Sequence, residues 1–239
     1  NQTCCQLHHR PLRMQIYNNF YISNIISLIM FNIYYSKEYL INKFEKKNMK
    51  LDDFKKLNLL LGWICFLISF CVYFSTAEPT VSFWDTGEYI TTSSKLQVGH
   101  PPGAPLYQML GAIFSVFAID KENIGFTMNL MSGFSSALTI AFMYWSIVLI
   151  LLKIISTDKF TLNRQLAISG AGLVGALSFS FTDSFWFNAV EAEVYAMATL
   201  IMSILFYLGL RWEADMNKPR GNKWLLLICF VIGLSFGVH

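Results

Sequence analysis

Apolar residues in this chain gather into long unbroken blocks instead of the spaced stripes of an amphipathic helix. Leu57 to Thr76, Phe126 to Leu152, Leu166 to Phe181 and Val194 to Leu210 contain no Asp, Glu, Lys or Arg. About 20 apolar residues suffice for a helix to cross the roughly 30 Å of bilayer hydrocarbon, so each block predicts a membrane span with its backbone satisfied internally. A fifth block, Trp224 to His239, runs to the last residue given. The pattern predicts an all-α, polytopic transmembrane helical bundle, and we read the chain as the front part of a longer protein.

A sixth apolar stretch, Ala104 to Ile119, is only 16 residues long and follows the helix-hostile run His100-Pro101-Pro102-Gly103, with Pro105 just behind. Its status decides the topology, because Lys and Arg accumulate on the cytoplasmic side of a membrane. If it crossed, the loops Lys153 to Arg164 and Arg211 to Lys223, with three and four basic residues, would both lie outside. If it is an interfacial helix, both loops and the basic run Lys43 to Lys56 fall inside, and only Lys95 and Lys121 remain outside. The second arrangement predicts an external loop from about Ala77 to Gly125 and a shorter one from about Thr182 to Glu193.

Composition agrees with a membrane protein: 54% of residues are hydrophobic and 14% charged, against about 25% charged in soluble domains. The net charge of +3 comes from short clusters, with no basic stripe interleaved with aromatics. That argues against nucleic acid as a partner. Cys4, Cys5, Cys65, Cys71 and Cys229 show neither metal-ligand spacing nor a disulfide framework. Residues 1 to 48 are rich in Asn, Ile, Tyr and Lys, with an interrupted apolar patch from Phe20 to Tyr35. We read them as a poorly specified extension, with an extra interfacial helix as the alternative. Met49 onward, residues 49–239, reads as the membrane domain.

Acidic residues crowd the two external loops. In Phe83-Trp84-Asp85-Thr86-Gly87-Glu88-Tyr89 two carboxylates stand three apart, and on a helix they share a face. A carboxylate walled by Trp84 and Tyr89 would be desolvated, which raises its pKa and suits it to act as a base. The alternative is a capping box in which Asp85 closes a helix start. His100 stands either as a proton carrier or phosphate donor, or as a turn residue beside prolines. In the second loop, a helix from Asn188 onward would put Asn188, Glu191 and Tyr195 on one face and turn Glu193 elsewhere. Acids at the edge of hydrocarbon are costly and usually line a polar cavity. The other reading has Glu191 and Glu193 facing headgroups. Phe83, Trp84, Phe185, Trp186 and Phe187 form either a binding wall or an interfacial aromatic belt.

Trp84-Asp85-Thr86-Gly87-Glu88, then His100-Pro101-Pro102-Gly103-Ala104-Pro105-Leu106, then an apolar stretch before the second span resembles the GT-C class of polytopic glycosyltransferases. More narrowly, with Glu191-Ala192-Glu193-Val194-Tyr195, residues 49–239 resemble a bacterial family related to protein O-mannosyltransferase-like transmembrane proteins. The resemblance implies transfer of a sugar, mannose among the candidates, from a polyprenyl-phosphate carrier to a protein or glycan hydroxyl. The reaction would be an inverting single displacement with a carboxylate base, at a site facing the periplasm of a bacterial inner membrane. It carries the base to Asp85, with Glu88 as the neighbouring candidate. Trp84, Tyr89, His100, Asn188, Glu191, Glu193 and Tyr195 are the candidate substrate-binding residues. No metal site and no cofactor is assigned, and dependence on a divalent metal stays open. With only Lys95 and Lys121 basic outside, a cationic clamp for the lipid phosphate is expected in a later part of the protein. Two other readings stand beside this one: a transporter or flippase of a lipid-linked or ionic substrate, and a noncatalytic assembly subunit. Flux in liposomes without covalent product distinguishes the first, and dispensable carboxylates the second.

Overall fold

Long charge-free runs with few helix breakers have one way to satisfy their backbone in hydrocarbon, and every regular element among the described residues is helical. The computed structural model describes residues 51–155 and 161–238. Apart from Thr161–Asn163 these belong to one compact unit, Lys50–Phe160 with Arg164–His239. The expectations for residues 1–48, including the Phe20 to Tyr35 patch and Cys4 and Cys5, lie outside the described residues.

The helices are α1 (Leu51–Thr76), α2 (Thr86–Ser94), α3 (Pro105–Ser115), α4 (Ile124–Ile154, entered through a 3-10 turn at Lys121–Asn123), α5 (Leu162–Ser180), α6 (Asp183–Ala189), α7 (Val194–Asp215) and α8 (Asn222–Ser235). Three stretches are long and apolar enough to cross a membrane: Asp53–Thr76, Lys121–Ile154 and Val194–Asp215. Helices α5 and α6 meet that standard together but bend by 69° at the break between them. The fold is thus an all-α membrane helical bundle.

The block expected as a fifth span, cut off by the end of the given sequence, contains α8. Helix α8 has 14 residues and ends at Ser235, and the following turn meets the start of α3, where the Leu106 N–H donates to the Gly237 carbonyl at 2.7 Å. Apolarity marks Trp224 to Val238 as lipid-compatible but does not say where the backbone turns.

Helix α4 organises the unit by packing against α1, α3, α6 and α7. Its buried face is built from small residues, among them Ser132, Gly133, Ser135, Ser136, Ala137 and Ala141, which let neighbouring backbones approach closely. Polar contacts fix the pairing of α1 with α5: Tyr73 Oη donates to the Ser180 carbonyl at 2.9 Å, and Ser69 Oγ and Ser180 Oγ share a hydrogen bond of 2.9 Å. Large apolar side chains such as Leu60 and Leu67 of α1 and Met202 and Phe206 of α7 remain exposed. In a bilayer these meet acyl chains.

Helix α3, at 11 residues, is too short to cross. It packs on α2 and α4. A Cβ added at Gly111 would come within 2.6 Å of Met128 and 2.8 Å of Ser93, so only glycine allows this approach. Tyr89, Ile90, Ala104, Tyr107, Met128, Met131, Ala192, Val194, Met197 and Val238 form the apolar core beneath the loops. The two loops are also tied by the backbone. Glu78 N–H donates to the Val190 carbonyl at 3.0 Å, Asn129 Nδ2 donates to the carbonyls of Glu78 at 2.7 Å and Thr80 at 2.9 Å, and Trp186 Nε1 donates to Thr76 Oγ1 at 3.1 Å.

Candidate functional site

Both acidic loops emerge at the same end of the unit, the first after α1 and the second between α6 and α7, and the ties just described bring their carboxylates together. A cavity of about 320 Å³ opens there, lined by Trp84, Asp85, Phe187, Asn188, Glu191, Glu193 and Tyr195. The second loop does not form the continuous helix expected from Asn188. Helix α6 stops at Ala189, and Glu193 stands in extended backbone (φ −127°, ψ 150°) before α7 begins. A tight turn, with the Glu193 N–H donating to the Glu191 carbonyl at 2.9 Å, brings Glu191 and Glu193 to the same cavity. Glu193 therefore lines the site, contrary to the expectation that it turns elsewhere, because helical spacing does not apply across the break.

Glu191 and Glu193 are 3% and 6% exposed. Hydroxyls of the first loop hold them: Ser82 Oγ donates to Glu191 Oε2, and Thr86 Oγ1 reaches Glu193 Oε1 at 3.4 Å, with Ser82 and Thr86 themselves 3.2 Å apart. Burial, and then the neighbouring carboxylates of Glu191 and Asp85, pushes the Glu193 pKa up from the ordinary range. Burial likewise raises the Tyr89 phenol, helped by Glu193 and Asp85.

The motif at Asp85 is built unlike either sequence reading. Asp85 occupies the N-cap position of α2 but makes no side-chain capping bond, so the capping box does not form. Nor is it walled in: Asp85 is exposed, the Trp84 indole is 85% exposed, and Tyr89 turns into the core. The desolvated carboxylates are those of the second loop. Trp84 has left-handed backbone (φ 59°), a conformation that costs a bulky residue about 1–3 kcal/mol and recurs at functional sites. Glu88 is paired with His100, whose backbone N–H donates to Glu88 Oε1 at 2.6 Å and whose Nδ1 lies 3.0 Å from Oε2. These hydrogen bonds lower the Glu88 pKa and raise that of His100. Ligand atoms of Asp85, Glu88 and His100 lie within 4.8 Å of one another, a set able to hold a metal ion.

The sequence candidates thus fall in two adjoining groups. Trp84, Asp85, Asn188, Glu191, Glu193 and Tyr195 share the cavity. Glu88 and His100 form a pair beside Asp85, while Tyr89 packs against Tyr107 beneath them at 5.2 Å between ring centroids. Ser82 and Thr86 were not foreseen as site residues, since serine and threonine carry no signal until the loop contact that uses them exists.

These features define a class: a polytopic helical membrane protein with a carboxylate-lined cavity built from its first two loops on one face. Residues 85–239 match the family model of the Protein O-mannosyl-transferase TMEM260 N-terminal domain, and the chain belongs to that family. It is 26% identical over 166 residues to the protein O-mannosyl-transferase tmem260 of Dictyostelium discoideum, covering 69% of this chain and 18% of that protein. It is 25% identical over 177 residues to the protein O-mannosyl-transferase TMEM260 of Mus musculus, covering 74% of this chain and 23% of that protein. The match therefore spans about a fifth of each relative's length. No solved structure matches the chain.

Proposed function

We propose that this chain supplies the acidic end of a GT-C-type membrane mannosyltransferase, which moves mannose from a polyprenyl-phosphate carrier to a hydroxyl of a protein acceptor on the external side of the membrane. In a bacterium that side is the periplasmic face of the inner membrane. Membership of a family whose curated relatives are named protein O-mannosyl-transferases supports the transferase reading. The observation that carries it is the cavity joining Asp85 of the first loop to Glu191 and Glu193 of the second.

A hydroxyl is a poor nucleophile near neutral pH, and a carboxylate that takes its proton as the new bond forms contributes about 10²–10⁴-fold in rate. Asp85, exposed at the cavity mouth, is the base in this reading. The acceptor oxygen attacks the anomeric carbon, its proton passes to Asp85, and the bond to the carrier phosphate breaks with inversion. The buried Glu193, whose pKa is raised, lies in the same cavity as Asp85 and hydrogen-bonds a sugar or acceptor hydroxyl. Glu191 and Asn188 complete the polar wall, and Trp84 and Tyr195 offer flat faces to a sugar ring.

The test is Asp85→Asn in the full-length protein, assayed with radiolabelled mannosyl-phosphoryl-polyprenol and a hydroxyl-bearing acceptor domain. We expect transfer to fall about 10²–10⁴-fold with expression and thermal unfolding unchanged. Full activity in this variant removes Asp85 from the reaction.

A further inference from the structure

The other end of the bundle carries a second built cavity, of about 360 Å³, whose lining includes Lys55 and Asn58 of α1, Phe142 and Trp145 of α4, and Tyr207 and Arg211 of α7. Lys55 and Thr76 stand 21 positions apart on α1, about 31 Å at 1.5 Å per residue. The cavity thus lies one hydrocarbon thickness from where the Asp85 loop begins, at the depth of phospholipid headgroups.

Its floor is aromatic. Trp145 contacts Phe142 and Tyr207 with ring centroids 5.4 and 6.3 Å apart, and its Nε1–H donates to the Asn58 carbonyl at 3.2 Å. Gly62 makes room for the indole, since a Cβ there would lie 2.1 Å from Trp145 Nε1. The rim carries two cationic side chains, Lys55 and Arg211. Arg211 lies 3.9 Å from Asp215 Oδ2, but Asp215 is already engaged by Lys218 at 2.6 Å and by the Trp224 indole N–H at 3.1 Å. Two atoms of the lining residues, Asn58 Oδ1 and Arg211 Nε, are buried without a hydrogen-bond partner. Beside them on α1, Leu59 and Leu60 are each 56% exposed and Trp63 43%, a lane for acyl chains that leads to the cavity.

We propose that this cavity binds the headgroup of an anionic glycerophospholipid. The phosphodiester sits between Lys55 and Arg211, a headgroup hydroxyl donates to Asn58 Oδ1, the glycerol backbone rests on Trp145 and Tyr207, and an acyl chain follows Leu59, Leu60 and Trp63. Phosphate recognition suits the planar guanidinium of Arg211, and basic pockets between membrane helices are sites for lipid headgroups. The apolar lane is what favours a bilayer lipid over free phosphate. This site is independent of the transferase reading.

The experiment uses the full-length protein in detergent, titrated with dioleoyl phosphatidylglycerol, with dioleoyl phosphatidylcholine or with inorganic phosphate, and read by native mass spectrometry and the rise in Tm. Phosphatidylglycerol should bind and raise Tm, phosphatidylcholine should bind at least fivefold more weakly, and inorganic phosphate at millimolar concentration should not displace the lipid. Arg211→Gln should weaken phosphatidylglycerol binding about fivefold, the worth of one cation near a membrane surface. Asn58→Leu serves if the arginine variant does not fold, and removes the preference for a hydroxylated headgroup. Equal binding of the two lipids, or wild-type binding in the folded variants, overturns the proposal. Displacement by phosphate assigns the site to free phosphate and overturns the lipid assignment.

Discussion

The two ends of this bundle handle charge in opposite ways. At the Lys55 end acids and bases answer one another: Asp215 meets Lys218 and Arg211, and Lys153 meets Glu213. At the Asp85 end three carboxylates line one cavity with no cation among the lining residues, and the nearby His100 is spent on Glu88. Hydroxyls and main-chain turns hold the acids there instead. Buried like charges cost folding free energy, and an arrangement that keeps them together against that cost is characteristic of a site with chemical work. The difference also separates the two proposals: an anion at the basic end, and a hydroxyl-bearing ligand with a carboxylate base at the acidic end.

The largest effect on this contrast should come from the residue that holds the acidic end in place without belonging to it. Asn129 is fully buried in α4 and donates to two carbonyls of the first loop, those of Glu78 and Thr80. Replacing it with Leu removes both bonds, each worth about 0.5–1.5 kcal/mol. Asn129→Leu should lower Tm, increase amide exchange in residues 78–86 and reduce mannosyl transfer, while phosphatidylglycerol binding at the other end stays at the wild-type level. Loss at both ends would show that the two are not separable.

A smaller effect should follow from relieving the crowding of acids directly. Glu193 has a raised pKa in the folded chain, so the folded state holds its proton more tightly than the unfolded one. Its contribution to stability is present below the ordinary value of 4.5 and declines as pH rises through the folded value. Glu193→Gln keeps the shape, removes the charge and should flatten that decline, so that the variant gains in Tm relative to wild type as pH increases. Transfer should fall, because the amide cannot accept hydrogen bonds through both of its terminal atoms as the carboxyl group does. A pH series of thermal scans beside the transfer assay checks both, and a variant with the unchanged wild-type slope would assign the slope to other groups.

How much of this was legible beforehand depends on whether the signal was local. The spans at α1, α4 and α7 follow from charge-free runs, which force a helix wherever lipid is the solvent, and the shortness of α3 follows from the prolines before it. The end of α8 at Ser235 was not legible, because Trp224 to Val238 stays apolar through the turn that meets Leu106. Crowding of acids in the two loops pointed to the cavity, but the aim of Glu193 depended on a break between α6 and α7 that helical spacing assumes away. The hydroxyls at Ser82 and Thr86 reach partners 109 and 107 positions distant. No spacing rule sees such a pair. The desolvation expected at Asp85 belongs to Glu191 and Glu193, since the exposure of an indole is set by the backbone at Trp84, which its neighbours in sequence do not announce.

The smallest effect concerns the pair at the rim of the acidic end, where solvent weakens every charge interaction. His100 has a raised pKa through its hydrogen bond with Glu88, so its part of the stabilisation is complete below the ordinary 6.5 and is lost as pH climbs through the folded value. Glu88 has a lowered one, mainly through the His100 backbone N–H, so its part is complete above 4.5 and is lost as pH drops through the folded value. Both are at full strength together only between those two reference values, which places the tightest closure of the His100 turn on α2 in mildly acid solution. Amide exchange at His100, whose N–H is the one bound by Glu88, should be slowest in that window after correction for the intrinsic pH dependence of exchange. In Glu88→Gln the residual protection should become nearly independent of pH, with Tm little changed. Protection that rises steadily above pH 7 in the wild type would mean that the neutral imidazole holds the turn better than the charged one, and that the ion pair is not what closes it.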